Sequence, residues 1–302
     1  MSHPNFIPIS LIREDPAKPE TAIPESEWND ADRAALRTVH ELYADIDGFR
    51  AGYDRSKQRS IGPSELGLEC NKCFMRKMGE VPKSVHDDGS WKTQVGTYVH
   101  AGLEQDFERR FGDAGTRMAE GELTIDTYKD RTLRGHCDMF VPNIVDGRPA
   151  EEAFGIVVDW KIPSTSTDPR TGKLKPSTTM AKVVSGKIGQ QYLAQSMAYA
   201  RGWVLKGYNI THVVIYYIPS FGELWDARPI IMRYSPEWAA WGIARWRAAL
   251  DARDVFMAFG ETEEKAWEKI IAVQDKAKFC FSCKHYDEIE ETGGLSILSQ
   301  GR

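Results

Sequence analysis

Hydrophobic positions recur along this chain with two periods, near 3.6 and 2, and the changes of period mark out its elements. Residues 25–48 carry Leu36, Val39, Leu42 and Tyr43 at helical spacing. Residues 60–82 follow, with Ser64 placed to cap a helix. In 94–111 an apolar side chain returns every four residues at Val95, Val99, Leu103, Phe107 and Phe111, the core stripe of a second helix. The period then drops to two. Segments 121–130 and 131–142 read as paired strands, and 155–162 as another after a turn at Asp146-Gly147. A Ser/Thr/Lys-rich connection over 163–187 precedes a helix near 188–203. Strands follow at 211–220 and 228–235, then helices at 236–257 and 261–278. No internal repeat is visible, and the order of elements predicts one mixed α/β domain with helical extensions at both ends. Residues 1–24 are Pro-rich and read as an irregular lead-in.

Strand alternation gives polar residues a direction. In GIVVDWKIPS, Val157, Asp159 and Lys161 share one face, and Ile156, Val158 and Trp160 take the other. Arg134, His136, Asp138 and Phe140 share a face of the preceding strand. If the two strands are neighbours, Asp138 and Asp159 converge with Lys161 beside them. Two carboxylates so placed repel unless a cation lies between them, and hard divalent cations prefer oxygen ligands. On the 94–111 helix, His100 and Glu104 are one turn apart and flank the apolar stripe, where they could complete a metal site.

Composition narrows the class. The chain has 302 residues, 41% of them hydrophobic, and a mean hydropathy of −0.46. With no apolar run of membrane-spanning length, a water-soluble protein with no membrane partner is expected. The N-terminal sequence lacks a cationic segment followed by an apolar one, so the expected location is cytoplasmic. A formal charge of −5 neither points to nucleic acid nor excludes it. Of the five cysteines, Cys70, Cys73, Cys280 and Cys283 form two Cys-x-x-Cys pairs near opposite ends of the chain, a pattern of metal or cluster ligands in a reducing compartment. Cys137 stands apart and fits a core position.

The series Gly96…His100…Glu104, then Gly135-His-Cys-Asp138, then Asp159-Trp-Lys161, then Gln195-Ser-Met-Ala-Tyr199 resembles the PD-(D/E)XK nuclease superfamily. Within it, the pattern is most similar to RecB-like exonucleases, including the CRISPR-associated RecB-type enzymes and their phage relatives. SELGLECNKCFMRKMGEVP is similar to the N-terminal Cys segment of those proteins, and the likeness covers about 60–285. Two departures stand out. Trp160 replaces the commoner Tyr, at a position facing away from the site. The cysteines divide two and two, where cluster-bearing relatives supply one early and three late.

The resemblance implies a restriction-endonuclease-like mixed central sheet flanked by helices, with terminal helical extensions joined by the four-Cys site. It divides the chain into a lead-in and helix (1–59), a nuclease domain including both Cys pairs (60–285) and an acidic tail (286–302). It implies a metal-dependent DNA exonuclease working from strand ends in recombination, repair or processing. An endonuclease on the same fold, or a non-catalytic DNA-binding subunit, is the alternative. Mg²⁺ or Mn²⁺ would sit on Asp138 and Asp159, with His100 and the backbone carbonyl of Ile162 as further ligands and Glu104 acting through water. Lys161 would orient the attacking water and stabilise developing negative charge, and Gln195 and Tyr199 would face the site. The four cysteines would hold a [4Fe–4S] cluster, or Zn²⁺, in a structural role. DNA, single-stranded or duplex with an end, is the implied partner, beside recombination or integration proteins. Its phosphates would meet basic loops carrying Arg170, Lys173, Lys175, Lys182 and Lys187, and Lys72 and Arg76.

Overall fold

In a computed structural model of the chain, the described residues are 23, 25–44, 61–81, 91–111, 118–141, 155–163, 166–167, 174–175, 186–220, 227–278, 280, 283 and 286. They form an α/β sandwich. Helices α1 (Asp30–Ala44), α2 (Pro63–Leu66), α3 (Asn71–Met78) and α4 (Trp91–Phe111) precede strands β1 (Met118–Tyr128), β2 (Arg131–Val141) and β3 (Gly155–Lys161). A two-stranded ribbon, β4 (Ser166–Thr167) with β5 (Leu174–Lys175), comes next. Then follow α5 (Gln190–Leu205), β6 (Ile210–Tyr217), β7 (Arg228–Arg233), α6 (Pro236–Ala258) and α7 (Glu263–Ala272).

The main sheet has five strands in the order β1-β2-β3-β6-β7. It is mixed, with β3 antiparallel to β2 and parallel to β6. Central position explains the composition of β3: a strand covered on both faces reads as a continuous apolar run, and every residue from Gly155 to Trp160 is buried. The alternation expected for β3 holds. Val157 packs in one core with Leu193, Met197 and Trp203 of α5 and Trp246 of α6. Ile156, Val158 and Trp160 pack in a second core with Ala35 and Val39 of α1 and Leu103 and Phe107 of α4.

In β2 the alternation changes phase. Leu133 and Cys137 lie in the first core, and so does Phe140, while Met139 and Val141 join the second. Phe140 therefore does not share a face with Arg134 and His136, which are exposed. The change falls beside Asp138, where β2 and β3 also part. Their pairing runs Val141↔Ile156, Phe140↔Val157, Met139↔Val158 and goes no further, while β3 stays paired with β6 out to Lys161↔Tyr217.

Several helix boundaries differ from expectation by a few residues, α4 beginning at Trp91 and α5 running Gln190–Leu205, and two differences have a local cause. Gly62, not Ser64, is the N-cap of α2, because Pro63 supplies the first helical position and the Glu65 side chain accepts from the Gly62 N–H at 2.9 Å. The last helix is shorter than 261–278: α7 begins after Thr262, whose hydroxyl accepts from Lys265, and ends at Ala272. Buried Arg245 joins α2 to α6 by donating to the carbonyls of Leu66 at 2.5 Å and Leu68 at 2.9 Å. Among the described residues, no helix is long and apolar enough to cross a membrane.

Candidate functional site

Asp138 and Asp159 stand where β2 leaves β3. One further step of the register beyond Met139↔Val158 would set them opposite each other. In place of that backbone pairing, Asp138 Oδ2 accepts the Trp160 N–H at 2.7 Å. Its Oδ1 lies 3.1 Å from His100 Nδ1 on α4. Asp159 is fully buried, with Oδ2 2.5 Å from Lys161 Nζ. Its Oδ1 has no hydrogen-bond partner among the described residues. Burial drives the Asp159 carboxyl up to about 6, with the charge of Asp138 adding to the rise against the pull of Lys161 and His100. The fold thus holds a carboxylate where its charge is costly even beside an ammonium. Burial disfavours the Lys161 ammonium as well, but Asp159 and Asp138 outweigh it, and the group is held charged above its ordinary range.

Helix α5 completes the floor. Gln195 Nε2 donates to Tyr199 Oη at 3.2 Å, both side chains being buried. The Tyr199 hydroxyl is pushed well above its usual range by burial, then by the charges of Asp159 and Asp138. Glu104 lies one turn along α4 from His100 and is half-buried, and Ile162 follows directly on Lys161. Trp160 does more than pack behind the site. Its ring stacks on Phe107 and meets the His100 ring edge to face, each at 5.7 Å between centroids, so the indole sets the pose of the imidazole that faces Asp138. Tyr192 escaped the sequence reading: its ring lies under Lys161 Nζ at 5.2 Å and against Tyr217. Helical spacing could have found it, since Tyr192, Gln195 and Tyr199 fall at i, i+3 and i+7.

The second cluster draws both ends of the chain together. Cys70, Cys73, Cys280 and Cys283 have their sulfurs within 4.8 Å of one another. Cys70 and Cys283 approach to 3.4 Å, Cys73 and Cys283 to 3.2 Å, and Cys73 and Cys280 to 3.5 Å. Cys70 caps α3, which carries Cys73, and the partner pair follows α7. Burial opposes ionisation of Cys70, but the backbone N–H groups of Ala277 and Cys73 and the adjoining thiols prevail and bring it down to about 7. Burial pushes Cys283 up to about 12. Four thiols so gathered could hold a metal, as tetrahedral Zn²⁺ or an iron–sulfur cluster. The observed separations are near the edge of a single-ion tetrahedron, about 3.8 Å for Zn–S bonds of about 2.3 Å. Among the described residues this is the one group of three or more His, Cys, Asp or Glu donors drawn so close; His100, Asp138 and Asp159 are linked in sequence of contact rather than gathered to that degree.

The expected phosphate contacts fare unevenly. Arg170, Lys173 and Lys182 lie outside the described residues, and Lys175 is in β5. Lys187 is exposed just before α5, and Lys72 is half-buried on α3. Arg76 is a correction: only 2% exposed, it sets its guanidinium over the Tyr286 ring at 4.7 Å. There it braces the Cys cluster and does not reach a surface phosphate. Cys137 is buried in the core, as expected. No protein-family model matches the chain, and no curated protein matches it.

Proposed function

We propose that the Asp138–Asp159–Lys161 constellation is the active centre of a metal-dependent deoxyribonuclease with a restriction-endonuclease-like core, acting from DNA ends. The observation that carries this reading is the buried Asp159 carboxylate. It is ion-paired to Lys161 on one oxygen, unpartnered on the other, and stands beside a second carboxylate. A buried charge kept at such cost fits a site built for a further cation. Mg²⁺ or Mn²⁺ fits these donors, with Asp138, Asp159, His100 and the Ile162 carbonyl as the residues to hold it. Such an ion supplies a lowered pKa for water and neutralises charge on the phosphate. The chain's own residues do the rest. Lys161, held on one side by Asp159 and underneath by Tyr192, presents its ammonium to the attacking water and to the charge that develops on phosphorus. Gln195 and Tyr199 close the floor against bulk water. The ordered likeness of the four sequence motifs to the RecB-like enzymes supports the exonuclease assignment. It also supports a [4Fe–4S] cluster at the four cysteines, whereas the sulfur separations favour Zn²⁺; in either form the centre is a structural staple of a protein acting in the cytoplasm.

The experiment supplies Mg²⁺ or Mn²⁺ with linear single-stranded DNA, linear duplex and closed circular duplex. The expected outcome is nucleotide release from linear DNA, an intact closed circle, and loss of at least about 100-fold in rate for Lys161→Ala. Cutting of the closed circle would reassign the protein as an endonuclease. Lys161→Ala activity equal to wild type would refute the site.

A further inference from the structure

Beyond α4, one face of the β1–β2 hairpin is left open. Leu123, Ile125, Leu133 and Cys137 turn inward and are buried, while Glu122, Thr124, Thr132, Arg134 and His136 face solvent. Arg134 and His136 stand four and two residues before Asp138 on the same strand, and the phase change in β2 falls beside Asp138, between Cys137 in the first core and Met139 in the second. The row therefore leads straight to the carboxylate that faces His100. Gly135 locks its direction. A Cβ there would stand 2.6 Å from Pro63 Cγ and 2.9 Å from Tyr199 Cε1, so the glycine must face the helices and its two neighbours must face out. At the far end, Arg134 borders a cavity of about 520 Å³ that Thr124, Glu122, Leu205, Gly202 and Lys206 also line.

We infer that Arg134 and His136 form a phosphate track that guides a single DNA strand along β2 into the site, with Lys206 at its outer end. The inference rests on the deoxyribonuclease reading and names how that site takes its substrate. The Arg134 guanidinium, the Lys206 ammonium (which also donates to the Glu122 carbonyl at 2.9 Å), the His136 ring and the hydroxyls of Thr124 and Thr132 suit a phosphodiester backbone and carry no base information. Among the described side chains of the row, Glu122 carries the opposing charge. It lies 3.3 Å from Arg134 with both side chains more than half exposed. Such an exposed pair is weak, so a phosphate can displace the carboxylate. The row is also continuous with the candidate site, which an unrelated surface patch need not be.

The test is the anisotropy of a fluorescein-labelled single-stranded oligonucleotide on the Asp159→Asn protein, which removes cleavage, titrated over a range of NaCl. Adding Arg134→Ala should weaken binding about fivefold and flatten the slope of log Kd against log[NaCl] by about 0.7, the share of one phosphate contact. Arg134→Lys should restore most of the slope. Arg37→Ala, at an exposed position of α1, which packs toward the opposite edge strand β7, removes the same charge and should leave the slope unchanged. An Arg134→Ala slope equal to that of the Asp159→Asn parent overturns the track and leaves the catalytic reading standing. A parent that binds no DNA, from a wild type that cleaves none, sinks both.

Discussion

Single residues set the distances on which the site depends, and two glycines show how tightly. At Gly67 a Cβ would stand 2.4 Å from the Gln191 Cα and 2.6 Å from the Gln190 carbonyl oxygen, both backbone at the start of α5. At Gly135 the clash would be with the Pro63 ring and the Tyr199 side chain. Backbone cannot yield as a side chain can, so Gly67→Ala should destabilise by about 2–3 kcal/mol and Gly135→Ala by about 1–2 kcal/mol. Urea denaturation checks the order; equal losses would mean that α2 shifts freely over α5. Several site residues were legible at this scale. Asp159 and Lys161 declare themselves because an apolar strand fixes which way each must point, and Cys70, Cys73, Cys280 and Cys283 because their spacing is hard to explain otherwise. Tyr192 was not, because a tyrosine on a buried helix reads as packing until its neighbour across the sheet is known. Arg76 misled, because a guanidinium in a basic run gives no sign that an aromatic ring from the far end of the chain will cover it.

Among the elements, α1 is held by an unusual contact. Asp32, fully buried, lies 3.0 Å from His212 Nε2 on β6 and 3.1 Å from an Arg233 nitrogen on β7. It also accepts the Asn29 N–H at 2.9 Å. Burial holds His212 below its ordinary 6.5, although Asp32 pulls the other way. The folded state thus prefers the neutral ring, while the unfolded chain takes up a proton near 6.5. The stabilisation is fully present above that pH and is lost as the pH falls below it. Thermal unfolding followed from about pH 7.5 to about pH 5.5 should show wild type losing more of its Tm than His212→Gln. Parallel curves would contradict the assignment. Nothing in the local sequence foretells this contact, since Asp32 and His212 are 180 residues apart. The elements themselves were largely legible, because the change from period 3.6 to period 2 is a local property. The phase change at Asp138 was not, since it arises where β2 gives up its pairing with β3, and that is a property of two strands together.

For the whole molecule, the four-Cys centre joins residues 213 apart and closes α3 onto the segment after α7. A cross-link over so long a loop contributes about 5 kcal/mol in the chain-entropy picture. Cys283→Ser should therefore abolish bound metal and lower Tm by several degrees. Elemental analysis together with an absorption spectrum reads the centre: four iron with a brown band for a cluster, one zinc and no colour for a single ion. A wild-type protein purified without oxygen that contains neither would contradict the assignment. The sheet between these ends places the candidate active centre at the parting of β2 and β3, with α4 and α5 on its two sides. The proposed metal-dependent phosphodiesterase site stands or falls at this parting. Its most direct measurement is the release of nucleotides from end-labelled linear DNA by wild type and by Asp159→Asn, each with Mn²⁺ and with excess EDTA. Release is expected only from wild type with Mn²⁺, with a fall of at least about 1,000-fold in the variant. Release by wild type in EDTA, or undiminished release by Asp159→Asn, would contradict it.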